Sequence, residues 1–290
     1  MSNTENKIKR ATGLLVIEVI NSNPNGDPDR ESDPRQRPDG KGEISPVSFK
    51  RKLRDLIEDK EGDVWLELSK EPKLEAGNYA ILESRGRVRK TIQEELTNGQ
   101  FQKKYWDGRV FGNTFLEDAM DKGTIKTGVV QMGLGVSIAP IDIERHTNTN
   151  KAGVEEGKTA GMAPMAYRFV QHGVYCMPFF VNPSMAHKSG CTAQDIELMK
   201  KLIPHAYTHT RSHARPFVEI RHAWYCEHNN PLGSCSDFVL IDALKPKKLG
   251  DANKPSTSWA DYDYEVPTLL KELKQNLDGK VSIVDLVNPA

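Results

Sequence analysis

Ten residues near the start of the chain, ATGLLVIEVI over 11–20, constrain the fold more than any other segment. Apart from Gly13 and the single charge at Glu18 they are apolar or β-branched, which reads as a strand buried within a sheet. The next segment is opposite in character. Residues 21–43 hold four prolines, three glycines and four aspartates, with no apolar period. A polar loop of that length in a compact protein points to function or to disorder.

Ser45-Pro46 then opens a helix, with serine as cap and proline in the first turn. Phe49, Leu53, Leu56 and Ile57 share one face at helical spacing, and Lys50, Arg51 and Arg54 gather opposite. Residues 60–106 are charged and irregular, with a short helix near 91–98, and read as an inserted subdomain. A second short helix is expected over 109–122. Residues 127–143 read as a strand in which Gly133 and Gly135 mark a bulge or a close backbone approach. A second polar loop spans 145–165, and strands are expected at 166–182, 217–226 and 236–243. Thr192 with Asp195 forms a capping box for a helix over 193–208. Residues 245–262 read as a lysine- and proline-rich linker, followed by a polar helix near 266–277 and a short apolar tail over 281–287. The order strand, helix, strand, strand, helix, strand is the α+β, ferredoxin-like order shared with RNA-recognition motifs.

Lysine plus arginine balances aspartate plus glutamate at 40 each. That neutrality argues against nucleic-acid binding over the whole surface and leaves room for a local basic groove. No apolar run is long enough for a membrane span, and residues 1–10 lack the core of a secretory signal, so the expected compartment is the cytoplasm. Four cysteines without a C-x-x-C pair are expected as free thiols.

The acids at 27, 29, 31 and 33 invite a metal. Calcium-loop spacing counted from Asp27 would need glycine and glutamate where Ser32 and Pro38 stand, so that pattern fails. A metal-dependent ribonuclease built on the 21–33 acids stays open as an alternative function. His205, His209 and His213 are spaced by four and could ligate zinc on a continued helix; no zinc spacing is matched by adding His222, Cys226, His228 and Cys235. The other readings are a polar helix end and, with Arg211, Arg215 and Arg221, a basic surface. No phosphate-binding loop, nucleophile elbow or zinc-protease string occurs, so no cofactor is expected.

Three strings carry a resemblance. Asn-x-Asn-Pro-Asn-Gly-Asp over 21–27, Asp-x-Arg-x-Phe-Gly over 107–112 and Thr-Gly-x-Val-Gln over 127–131 are similar to those of the CRISPR-associated backbone family of the RAMP superfamily. The first looks closest to the subtype I-C member, and the match covers about 10–245. The resemblance implies a non-catalytic subunit of a type I surveillance complex (Cascade). Copies would polymerise along guide RNA (crRNA), contact the other complex subunits and present the guide to a target DNA strand.

It further implies a modified RNA-recognition palm over 10–59, 107–144 and 166–245. The fingers insertion would be 60–106, the thumb a hairpin loop over 145–165, and the C-terminal linker and tail 246–290. The expected RNA-binding set is Lys50, Arg51, Arg54, Arg109, Gln131, Ser137, Arg145, His146, Asn148, Met162 and Arg168, with Asn23, Asn25 and Asp27 as loop candidates. Arginine and lysine would neutralise phosphates without reading sequence, and base pairing would read the target. The thumb loop has no aromatic residue, and no ribonucleoprotein consensus occurs, so a backbone-led grip is expected over base stacking on an open sheet.

Overall fold

The structure, a computed structural model, describes residues 7–84, 88–113, 127–152, 161–263 and 268–288. Its frame is an eight-stranded antiparallel sheet. The strands are β1 (Ala11–Ser22), β2 (Lys41–Ile44), β3 (Val130–Met132), β4 (Gly135–Pro140), β5 (Ile143–Ala152), β6 (Gly161–Val181), β7 (Val218–His228) and β8 (Val281–Asp285). They run in the order β8-β7-β1-β6-β4-β2, with β3 and β5 also paired to β6.

The apolar run of β1 has a direct explanation in its position. Successive side chains of a strand point to opposite faces, and both faces of this sheet are covered. Leu15, Ile17 and Val19 enter one core with Phe49, Leu53 and Ile57 of α1 (Pro46–Glu58). α2 (Asp63–Leu68) packs beside α1 and gives that core Val64 and Trp65. Leu14 and Val16 enter a second core with Trp224, Cys226, Leu240, Leu244 and Tyr262. Each of these aliphatic side chains contributes about 1.5–3 kcal/mol by leaving water.

Glu18 is the exception in β1 and is buried too. Its carboxylate lies 3.1 Å from His172 Nε2 and accepts from Arg221 Nε at 2.5 Å, and His172 Nδ1 lies 2.8 Å from Ser256 Oγ. Burial pushes the Glu18 carboxyl up, and the hydrogen bonds from His172 and Arg221 outweigh it, so its pKa lies below the usual value. One chain of contacts thereby joins β1, β6, β7 and the 245–263 segment.

Local signals are met where they were strongest. Ser45 Oγ accepts from Ser48 N, and Thr192 and Asp195 form the reciprocal capping box at the start of α5 (Ala193–Leu202). Helices α3 (Arg89–Thr97) and α4 (Trp106–Phe111) lie between α1 and β3. The helix expected over 109–122 ends at Phe111, and residues 114–126 lie outside the described residues. The strand expected over 127–143 is split into β3 and β4 by Gly133, whose N–H donates to Pro178 O at 2.8 Å.

Three expectations are corrected. Residues 236–243 form α6 (Asp237–Leu244), not a strand: Leu240, Ala243 and Leu244 are buried at helical spacing while Phe238 and Val239 face outward. The short apolar run Phe238–Ile241 fits either element by periodicity. The helix expected near 266–277 is present, but the segments around it, read as linker and tail, pack into the fold. Tyr262 is fully buried, α7 (Thr268–Asn276) leads to the buried Leu277, and β8 adds an edge strand with Ile283 opposite Cys226. The loop over 145–165 is largely strand, because β5 and β6 continue past the sheet as a hairpin paired from Ile143↔Val170 to Ala152↔Gly161.

Candidate nucleic-acid interface

The polar residues of the three distinctive strings are engaged inside the chain. Asn25 Oδ1 accepts from Ser45 N at 2.8 Å, tying the 21–34 loop to the start of α1, and Asn25 Nδ2 donates to Gly26 O at 3.0 Å. Asn23 Nδ2 donates to Ser32 O at 2.8 Å, and Asp27 Oδ1 accepts from Asp29 N at 3.2 Å. Asp107 is buried and accepts from Leu82 N, Glu83 N and Arg54 Nε. Arg109 grips Asp195 with Nε at 3.0 Å and Nη2 at 2.8 Å, and donates as well to the carbonyls of Gln102, Lys103 and Asn78.

The expected roles of three residues are corrected by these placements. Arg54 and Arg109 have side chains only 3% and 6% exposed, each against a buried aspartate, so neither guanidinium faces a phosphate. Ser137 is buried; its Oγ accepts from Gly42 N and donates to Ala139 O, fastening β4 to β2. The basic stripe on α1 is likewise no open surface. Arg51 is paired with Asp55 and Glu58, both at 2.7 Å. Lys50 sits 5.1 Å from the Phe111 ring centroid. Burial first and the charge of Arg54 second hold its ammonium below the usual range, against the pull of Glu83.

What stays accessible gathers at the root of the β5–β6 hairpin, with Gln131 exposed on β3. Arg145 and His146 are exposed on β5, and Arg168 lies opposite Arg145 on β6. Arg145 pairs with Asp33, and Arg168 with Glu31 at 2.5 Å and Asp33 at 3.5 Å. The hydrogen bond from Arg145 holds the Asp33 carboxyl below the usual carboxylate range, against the opposing effect of burial. The backbones of Asn148 and Met162 belong to the hairpin, opposite Met165 and Lys151, and their side chains lie outside the described residues.

Beside the hairpin root lies a cleft of about 630 Å³ lined by Asn21, Asn23, Glu31, Tyr167, Phe169 and His213, among others. The Tyr167 and His213 rings meet edge to face at 4.5 Å, and His146 meets Phe169 at 5.1 Å. Sequence reasoning named His146 and His213 but missed Tyr167 and Phe169, because it searched the hairpin tip and not its stem. The available signal was the run Tyr167-Arg168-Phe169, in which aromatics alternate with arginine on a strand.

The acids of the 21–33 loop point to arginines and backbone N–H groups. His205 and His209 pack on each other at 5.3 Å while His213 turns to Tyr167. Among the described residues no group of three or more His, Cys, Asp or Glu is placed to hold a metal, and the four cysteines are free. Ser256, His172 and Glu18 have the order of a nucleophile relay, yet Ser256 is 4% exposed and accepts from Tyr262 Oη, leaving no path for a substrate. No helix among the described residues is long and apolar enough to cross a membrane.

The chain is an α+β protein whose large antiparallel sheet carries a core on each face and is extended by the β5–β6 hairpin. The family model for CRISPR-associated protein Cas7 matches residues 9–267, and the chain belongs to that family. No curated protein matches it. Among solved structures, a chain of a "CRISPR RNA-guided surveillance complex, pre-nicking" aligns with a TM-score of 0.53 at 13% identity, covering 94% of this chain and 90% of its own. A chain of a "CRISPR RNA-guided surveillance complex" aligns at 0.46 and 14% identity, covering 94% and 87%. At such identities the first match is a likeness of fold.

Proposed function

We propose that this protein is a non-catalytic, crRNA-binding backbone subunit of a type I surveillance complex, with a subtype I-C-like architecture. It stacks with copies of itself along the guide, meets the other complex subunits in the cytoplasm and presents the guide to a complementary DNA strand. The family match over residues 9–267 carries this reading. The run β7-β1-β6-β4 supports a ferredoxin-like, RNA-recognition-type palm, since this is the order such a palm requires. Residues 60–106 then serve as fingers and the β5–β6 hairpin as the thumb. Because Leu240, Leu244, Tyr262 and Leu277 cover the sheet face opposite α1, which RNA-recognition motifs use, RNA is held through the hairpin and its root, with Arg145, His146 and Arg168 as phosphate contacts. Gln131 contributes at the palm, and Asn148 and Met162 along the hairpin.

The test is assembly on RNA. Co-expressed with a guide, the chain should elute as a large species rich in nucleic acid, and nuclease digestion should leave regularly spaced fragments. Replacing 147–166 by Asn-Gly, a two-residue turn suited to close His146 against Tyr167, should spare folding and abolish the regular spacing. A ladder unchanged by this shortening would remove the thumb assignment. A wild-type monomer that ignores RNA at low salt would remove the function.

A further inference from the structure

The two arginines at the hairpin root are already occupied. Arg145 is 66% exposed, yet its guanidinium is held in a two-pronged grip on Asp33. Arg168 donates to both the carboxylate and the backbone carbonyl of Glu31, and also approaches Asp33. The two cations are thus matched by two carboxylates from the 21–34 loop. A planar guanidinium offers carboxylate and phosphate the same forked set of donors. The pairing therefore presents to the arginines what an RNA backbone would present.

A second observation marks the same loop. Among the described residues, the non-glycine residues with positive φ are Asn21 at 44°, Glu31 at 50° and Ser32 at 68°. All three line the cleft beside the hairpin root. Asparagine tolerates the left-handed region, whereas glutamate and serine adopt it at a cost, and such strain gathers where a segment is held for a purpose. The Glu31 carboxylate is also 85% exposed, so its position depends on Arg168 and not on packing. In the same cleft the buried Asn23 Oδ1 has no hydrogen-bond partner. The loop is bent and under-satisfied where it delivers its carboxylates.

We propose that Glu31 and Asp33 form an internal phosphate mimic that occupies Arg145 and Arg168 in the free chain and is displaced when RNA binds at the hairpin root. This rests on the RNA-binding reading above and adds its regulation. Stray RNA must compete with carboxylates already in place, while a guide held by many copies displaces them together.

The full-length chain would be titrated against a 5′-fluorescein single-stranded RNA of mixed sequence, followed by anisotropy. The variants are Glu31→Gln, Glu31→Gln with Asp33→Asn, and Arg145→Ala with Arg168→Ala. Each carboxylate competes as an exposed ion pair, so Glu31→Gln should bind about threefold tighter, the double amide variant about tenfold tighter, and the arginine variant at least about tenfold weaker than wild type. If the arginine variant weakens while the amide variants bind unchanged or more weakly, the carboxylates only position the arginines; the mimic is then overturned and the RNA-binding reading stands. If the arginine variant binds as wild type does, or no variant binds at all, the arginine contacts themselves fall and the mimic falls with them. Glu31→Gln alone keeps the test decisive should the more buried Asp33 prove necessary for folding.

Discussion

Arg109→Ala should lower the stability of the chain by roughly 3–5 kcal/mol, the loss expected when one partner of a buried ion pair is removed. Arg109 is 5% exposed and Asp195 1%. The guanidinium holds Asp195 through two hydrogen bonds and satisfies the carbonyls of Asn78, Gln102 and Lys103. Truncation would leave the Asp195 carboxylate without its counter-ion and three carbonyls without their donor. Asp195 also accepts from Thr192 N at 2.9 Å, so the start of α5 would loosen as well. Arg109→Lys should recover only part of the loss, because an ammonium cannot reproduce the forked grip. Denaturant unfolding at constant slope would read both effects. The experiment also separates two roles for this residue. An arginine serving RNA would change affinity and leave stability near wild type; the buried pair changes stability first. A loss below about 1 kcal/mol would refute the structural role.

The same distinction explains what was legible in the sequence. Elements fixed by near neighbours could be read: the apolar run of β1, the Ser45 cap with Pro46, the Phe49–Ile57 stripe and the Thr192–Asp195 box all follow from spacing within a turn or along a strand. What failed depends on partners distant in the chain. A helical wheel shows that Lys50, Arg51 and Arg54 share a side; it cannot show that Asp107 and Glu83 arrive to meet Arg54. Residues 281–285 look like a tail until Ile283 is seen beside Cys226. Residues 238–241 are a short apolar run, and only the position of the sheet decides that Leu240 and Leu244 turn inward at helical spacing. The distinctive strings were informative about family because they build the frame: Asn25 holds Ser45 N, Asp107 holds Arg54, and Arg109 holds Asp195. The residues proposed to meet RNA lie chiefly on the hairpin, where sequence pattern constrains them least.

Gly128→Ala should be the most damaging change among the small residues. A Cβ at Gly128 would stand 2.3 Å from Gly112 N and 2.4 Å from both Phe111 C and Val110 O. These are backbone atoms at the end of α4, and they cannot rotate aside as a side chain can. The methyl group must push β3 away from α4, and overpacking of this kind costs about 3 kcal/mol or somewhat more. Val129 O accepts from Asn182 N at 2.8 Å, and Gln131 lies opposite Phe180, so displacement of β3 would also unseat the palm position assigned to Gln131. Gly77→Ala is the matched control, since nothing lies within 4 Å of its added Cβ; it should stay within about 0.5 kcal/mol of wild type, as surface changes do. Thermal unfolding of the two variants beside wild type reads the contrast. If Gly128→Ala unfolds with wild type, the segments over 107–112 and 127–131 do not touch, and the close approach that links two of the three distinctive strings is wrong.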